Sequence, residues 1–226
     1  MEFLYDTKRV SRGAFDEAMM DVATYSWVEE AMAFLCSKRC ASRRAVNSAF
    51  MPTRSFSMVK NLYETYRDSK QAIIGAFKNA GHIDGFYDKT RARIVELLYE
   101  EVCLSPEVIG EALVVAARHG RIEVVELLLD DPRIRAGAIC DAFVEAAGQK
   151  SNELMIFLCS EEQISADTIW SAFLKAVYSD QLGDGRQNVL QLVGKINFGC
   201  CTRSMRKEML EVARTDAAKK FGQDIL

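Results

Sequence analysis

An internal repeat of about 30 residues is the feature that most constrains what this chain can fold into. Five short apolar runs are each followed, 15 residues after their last apolar residue, by a large apolar residue that we call the anchor. The runs end at Leu35, Leu62, Leu98, Leu128 and Leu158, and the anchors are Phe50, Phe77, Leu113, Phe143 and Phe173. Equal spacing of this kind predicts a stack of similar units that share one core.

Each anchor lies in a segment with the periodicity of one helical face. In one copy the apolar residues at i, i+3, i+4 and i+7 are Ile139, Ala142, Phe143 and Ala146. We therefore predict that the anchored segment is the first helix of a repeat and that the apolar run is the second. The predicted helix N-caps, eight residues before the anchor, are Ser42, Ser69, Ser105 and Ser165. The predicted left-handed caps after first helices are Gly81, Gly120 and Gly148.

Extra residues enter the repeat at one place, between an anchor and the next apolar run. Two of these insertions, 82–90 and 180–186, are predicted to be loops because they are rich in Asp and Gly. Tight connections between repeats are predicted to be held by Leu104, Ile134 and Ile164. A last copy around Met209 carries Glu208 where other copies have alanine, which is typical of a terminal repeat.

Composition excludes a disordered chain, because 49% of the 226 residues are hydrophobic. No apolar stretch reaches the roughly 18 residues that cross a bilayer, and the start lacks the apolar core of a signal peptide. Between Glu96 and Asp167 there are 15 acidic and five basic residues, whereas 36–70 and 186–220 each hold eight basic residues. This pattern is either an ordinary solvated surface or a surface that steers a charged partner.

Residues that carry chemistry are sparse. Seven cysteines, an odd number, mostly stand among apolar neighbours, which favours reduced structural thiols in an intracellular protein. The pairs Cys36/Cys40 and Cys200/Cys201 have no nearby histidine to complete a zinc site. His82 and His119, the two histidines, follow first helices as turn residues. We predict no catalytic residue, no metal and no cofactor.

The segment 112–129, Ala-Leu-Val-Val-Ala-Ala-Arg-His-Gly-Arg-Ile-Glu-Val-Val-Glu-Leu-Leu-Leu, resembles the helical pair of an ankyrin repeat. The Thr-Pro-Leu-His and Gly-Ala-Asp-Val-Asn motifs of that family are absent, so the resemblance implies helical pairs with β-hairpins reduced or absent. Divergent arrays of this kind are similar to those in oomycete and other microbial proteins. Such proteins include effectors that are secreted and then act inside a host cell.

The predicted fold is all-α: one α-solenoid of about seven ankyrin-like helix-turn-helix repeats, with no separate domains. Residues 1–226 are predicted to form this single repeat domain, with the repeats at about 10–214 and capping termini. An α-solenoid exposes an extended surface made of first helices and loops. The location expected for it is intracellular, in the cytoplasm or nucleus.

The function predicted from this surface is non-catalytic binding of a folded protein or a peptide, whose identity the residues do not encode. The candidate contacts are exposed first-helix and loop positions together with large insertion residues: Lys78, Asn79, Phe86, Tyr87, Arg118, His119, Arg133, Arg135, Glu145, Lys150, Glu161, Glu162, Lys175 and Leu182. Phe86 and Tyr87 alternatively cover the adjacent groove.

Two other classes of function stay open at this point. One is a cysteine-dependent enzyme on a helical scaffold, in which one of the thiols meets one of the histidines. The other is a nucleic-acid adaptor that uses the basic end repeats. The acidic middle and the net charge of -3 argue against a continuous track for a nucleic-acid backbone.

Overall fold

The structure, a computed structural model, describes residues 10–25, 27–81, 88–101, 104–149, 152–159, 164–179, 203–205 and 207–212. The described residues contain helices and connecting turns and no β-strand. The helices are α1 (Arg12–Thr24), α2 (Glu29–Lys38), α3 (Arg43–Phe50), α4 (Phe56–Thr65), α5 (Lys70–Asn79), α6 (Asp88–Tyr99), α7 (Pro106–Arg118), α8 (Ile122–Leu129), α9 (Ala136–Gly148), α10 (Asn152–Cys159) and α11 (Ala166–Ser179). Residues 203–205 and 207–212 are also helical.

The chain forms two compact units, unit 1 (Met1–Ala112) and unit 2 (Leu113–Leu226). The boundary falls within α7, so this helix contributes residues to both units. The single repeat domain over 1–226 stays a prediction.

In unit 1 the helices pack as two rows. Helices α1, α3 and α5 pack side by side in one row, and α2, α4 and α6 pack side by side in the other. Contacts between α1 and α2, α3 and α4, and α5 and α6 join the rows. This alternation is the packing expected of successive helix-turn-helix repeats, with first helices in one row and second helices in the other.

In unit 2 the helix α9 packs against its successor α10 and against α11, two helices further along the chain. The packing is therefore the same as in unit 1, because a first helix contacts both its own second helix and the next first helix.

The residues that the repeat predicted to be buried lie in the core of each unit. In unit 1, Phe15, Phe50 and Phe77 are buried, and in unit 2 Leu113, Phe143 and Phe173 are buried. The run-ending leucines Leu35, Leu62, Leu98, Leu128 and Leu158 are also buried. Alanines beside the anchors, such as Ala142 and Ala146, are buried too, because a small side chain lets a neighbouring helix approach closely. The predicted register of the helical faces is thus confirmed for these positions.

Most of the predicted serine caps are present. The hydroxyl oxygens of Ser42, Ser105 and Ser165 accept from backbone N–H groups three residues ahead, at 3.2, 3.4 and 3.2 Å. The prediction is wrong for Ser69, whose side chain makes no capping hydrogen bond and whose backbone ψ of 64° departs from the extended value at the capped serines. Ser11 caps α1 in the same way without lying eight residues before an anchor.

Only one of the three predicted glycine caps is left-handed. Gly120 has a φ of 66°, a conformation that favours glycine. Gly148 is instead the last residue of α9, and Gly81 lies in a turn without a positive φ, so both predictions are wrong. After α2 the left-handed position is taken by Arg39, with a φ of 50°.

The connections follow the sequence with one correction. Leu104 and Ile164 are buried and Ile134 is half-buried. The loop predicted over 82–90 is too long, because Asp88 to Thr90 begin α6. The insertion 180–186 lies outside the described residues. Near the end of the described chain Met209 is buried and Glu208 is exposed.

Candidate protein-interaction surface

A three-membered charge network joins the first helices of unit 2. Arg118 on α7 donates from Nε to Oε2 of Glu145 on α9 at 3.1 Å and from Nη2 to Oε1 at 3.3 Å. Lys175 on α11 donates from Nζ to Oε1 of the same carboxylate at 3.3 Å. One glutamate on the middle helix therefore holds a cation from each neighbouring helix.

Exposure differs within this network. The Glu145 side chain is 17% exposed, whereas those of Arg118 and Lys175 are 51% and 40% exposed. Burial alone would raise the pKa of Glu145, but the hydrogen bonds and positive charges of Arg118 and Lys175 outweigh it and lower the pKa. The carboxylate thus stays ionised at neutral pH and organises two cations that still face solvent.

In unit 1 the predicted contacts Lys78 and Asn79 also touch neighbouring first helices. Lys78 pairs with Glu111 on α7, and Asn79 Nδ2 lies 2.7 Å from Sδ of Met51 beside α3. Four of the predicted residues, Lys78, Arg118, Glu145 and Lys175, are therefore ion-paired between successive first helices.

Arg133 has a different role. Its guanidinium donates from Nη2 to Oδ2 of Asp131 at 2.8 Å, and its backbone N–H donates to Oδ1 at 2.7 Å. Asp131 is buried, so this pair fixes the turn between α8 and α9. Arg135, just before α9, is exposed, whereas His119 is half-buried at the end of α7. Both make interactions within the chain.

The remaining predicted contacts lie outside the described residues. These are Phe86, Tyr87, Lys150, Glu161, Glu162 and Leu182.

A second cluster, which the sequence pattern did not predict, lies in unit 1 between α4 and α6. Arg67 Nη2 donates to the Tyr63 hydroxyl at 2.9 Å, and that hydroxyl donates to Glu101. The guanidinium of Arg93 lies 4.2 Å from the centre of the Phe56 ring. These side chains line an open cavity of about 550 Å³. Burial and the hydrogen bond to Glu101 raise the pKa of Tyr63, so this phenol stays protonated at neutral pH.

This cluster changes the interpretation of the charge pattern. Arg67 belongs to the basic stretch 36–70, and Glu101 belongs to the acidic stretch that begins at Glu96. Their side chains lie 3.7 Å apart. Lys78, which lies outside the basic stretch, also pairs with Glu111 of the acidic stretch in the same unit. The basic and acidic stretches therefore partly neutralise one another within unit 1 instead of acting only on a partner.

Cys36, Cys40 and Cys140 carry reduced thiols. Burial raises the pKa of Cys36 to about 11, so its thiolate, the nucleophilic form, is scarce at neutral pH. Within the described part of the chain, no group of three or more His, Cys, Asp and Glu residues is arranged to hold a metal ion. The helices that are described also include none with the length and apolar character that a bilayer crossing demands.

Comparison with known proteins gave no matching family model, no matching curated protein and no matching solved structure.

Proposed function

We propose that this chain is a non-catalytic protein-interaction module, an α-solenoid of about seven ankyrin-like repeats. In this proposal it binds a folded protein or a peptide on the surface made by its first helices and loops. Action as an effector inside a host cell remains part of the hypothesis that the ankyrin resemblance raised.

The observation that carries the proposal is the network of Arg118, Glu145 and Lys175. It spans three first helices of unit 2, and it holds two half-exposed cations in fixed positions. Ordering a free lysine or arginine side chain on binding costs about 0.5–1.5 kcal/mol. Because Glu145 already restrains both cations in the unbound protein, less side-chain entropy is lost when a partner binds.

The network also narrows the candidate contacts. Arg118 and Lys175 are the proposed direct contacts in unit 2, with Glu145 as the residue that positions them. Lys78 has the corresponding role in unit 1, where Glu111 restrains it. Arg133 is removed from the set of primary contacts because its guanidinium fixes a turn.

A matched pair of variants tests the proposal. The first replaces Arg118, Glu145 and Lys175 together by glutamine, so that no charge is left without its partner. The second replaces Lys60 and Glu64 by glutamine, which removes an exposed ion pair with a 3.8 Å separation on the second helix α4. Each variant and the wild type are used as bait for affinity capture and mass spectrometry, after circular dichroism has established equal helicity and equal melting.

We expect proteins that the wild type and the Lys60/Glu64 variant retain and that the triple variant loses. Equal retention by all three baits would place the binding surface elsewhere. The baits are tested in lysates of the cells that make this protein and of host cells, beside an unrelated helical protein as control bait. If no bait retains more of any protein than the control bait does, the proposed interaction role is contradicted.

A further inference from the structure

A pair of exposed aromatic side chains lies in the turn between α1 and α2 of unit 1. Trp27 is 77% exposed and Tyr25 is 49% exposed. Their ring centres are 5.2 Å apart, and the ring planes are tilted by 47°. Tryptophan and tyrosine are enriched among the residues that contribute most to binding at protein interfaces.

The repeat does not need these rings. Phe15 follows Ala14 in α1 as the anchors Phe50 and Phe77 follow alanines. The pair lies between Phe15 and the run-ending residue Leu35, an interval of 20 residues where uninterrupted copies have 15. Phe15 and Leu35 are both buried and fill the core layer without them. The aromatic pair therefore belongs to an insertion, where the sequence is free of the packing constraints of the helices.

The charge around the pair is strongly one-sided. Glu29 and Glu30 are exposed in the first turn of α2, and with Trp27, Val28 and Ala31 they line an open cavity of about 480 Å³. In the sequence next to the pair, residues 21–30, there are three acidic residues and no basic residue. An anionic ligand would be repelled here, and an apolar one would bury carboxylates without a partner.

Glu29 is held in place by the next repeat. Its Oε1 accepts from the hydroxyl of Ser55, and the side chains of Ser55 and Ser57 together lower its pKa against the effect of burial. The carboxylate is therefore fixed and ionised at neutral pH, and Glu30 stands exposed beside it. Two carboxylates outweigh the positive end of the α2 dipole, which amounts to about half a charge.

We propose that this surface, which we call the Trp27 surface, binds an arginine side chain from a basic segment of a partner protein. The guanidinium plane stacks on the indole of Trp27 while its N–H groups point to the carboxylate of Glu30. Arginine fits better than lysine because its planar, weakly hydrated guanidinium both stacks on aromatic rings and donates two hydrogen bonds to one carboxylate. The Trp27 surface shares no residue with the charge network of unit 2, so the two proposals stand or fall separately.

Nuclear magnetic resonance of the full-length chain labelled with ¹⁵N tests this directly. The chain has two tryptophans, so two indole N–H signals exist, and that of Trp170 on α11 is an internal control. The probe is the peptide acetyl-Gly-Ser-Arg-Gly-Arg-Ser-Gly-amide, and its matched control carries citrulline, a neutral isostere, in place of each arginine. We expect a saturable shift of the Trp27 signal with the arginine peptide, binding at least about tenfold weaker with citrulline, and no shift of Trp170.

Variants sharpen the assignment. Glu30→Gln is expected to weaken binding about three- to tenfold, the effect of removing one of two charges near a cation. Glu17→Gln, an exposed carboxylate on α1, should leave it almost unchanged. Affinity should also fall several-fold when NaCl is raised from about 0.05 to 0.5 M, because exposed charges are screened.

Several outcomes would overturn the proposal. The first is the absence of a Trp27 shift at millimolar peptide, and the second is equal binding of the citrulline peptide. A Trp27 shift that appears on concentrating the protein alone would assign the surface to a second copy of the chain. A shift on adding phosphatidylcholine vesicles but not peptide would assign it to lipid.

Discussion

Two neighbouring positions on α9 have opposite roles. Phe143 is buried between helices of unit 2, whereas Glu145, two residues later, holds Arg118 and Lys175 at the surface. Burial of a phenylalanine side chain contributes about 1.5–3 kcal/mol to the free energy of unfolding, whereas an exposed ion pair contributes about 1 kcal/mol or less. The comparison indicates that buried anchors such as Phe143 stabilise the fold more than the surface ion pairs of Glu145 do.

Phe143→Ala should destabilise the chain by about 3–5 kcal/mol, because it leaves a cavity where a fully buried ring stood. The measurement is urea unfolding followed by circular dichroism. Val144→Ala, at the half-buried next position, is the control and should cost much less. A small effect at Phe143 would mean that the anchor layer does not carry the fold.

Asp131→Ala should cost about 1–3 kcal/mol, since it removes a buried carboxylate that accepts from the backbone N–H and the guanidinium of Arg133. Arg133→Ala should cost less, because its guanidinium is partly exposed. The same urea titration measures both. A larger loss from Arg133→Ala than from Asp131→Ala would contradict the assignment of Asp131 as the residue that fixes this turn.

Ser42→Ala should cost about 1 kcal/mol, the usual value of a helix N-cap, because its hydroxyl accepts from Ala45 N–H. Ser69→Ala should cost clearly less, since that serine makes no capping hydrogen bond. The difference between the two variants, measured by thermal unfolding, tests whether the sequence position or the observed geometry determines the cap. Equal losses would favour the sequence position.

Acidification should remove the small contribution of Glu145. Its pKa is lower in the folded chain than the ordinary value near 4.3, so its stabilisation is present above that value and is lost as the pH falls through the lowered pKa. We expect Glu145→Gln to cost about 1 kcal/mol or less at pH 7 and less than that near pH 3. Urea unfolding at both pH values measures this, and an unchanged difference would show that the charge is not responsible.

The helices and their core faces were predictable because burial repeats with a fixed period. Phe50, Phe77 and Phe143 can be recognised as anchors without any knowledge of the tertiary structure. The contacts at the surface were harder to predict from the sequence. Lys175 stands 30 residues after Glu145, one full period, and this spacing was the available signal for their contact. The spacing of 27 residues between Arg118 and Glu145 gave no such signal, because it depends on how α7 and α9 face each other.

Local backbone geometry accounts for the other misses. Ser69 has the right sequence position for a cap but the wrong ψ, and Gly148 continues its helix where a left-handed residue was predicted. Trp27 was overlooked because it lies in an insertion, where the period predicts neither burial nor exposure.

Deleting one whole period tests the central claim most directly. Removal of residues 129–158 joins Leu128 to Cys159 and keeps every later anchor in register, whereas removal of 129–143 deletes half a period and joins a second helix to the wrong part of a first helix. We predict that the 30-residue deletion retains its helicity per residue and a cooperative urea transition, and that the 15-residue deletion loses both. If both deletions unfold alike, or if the half-period deletion is the more stable, the chain is not a stack of repeats.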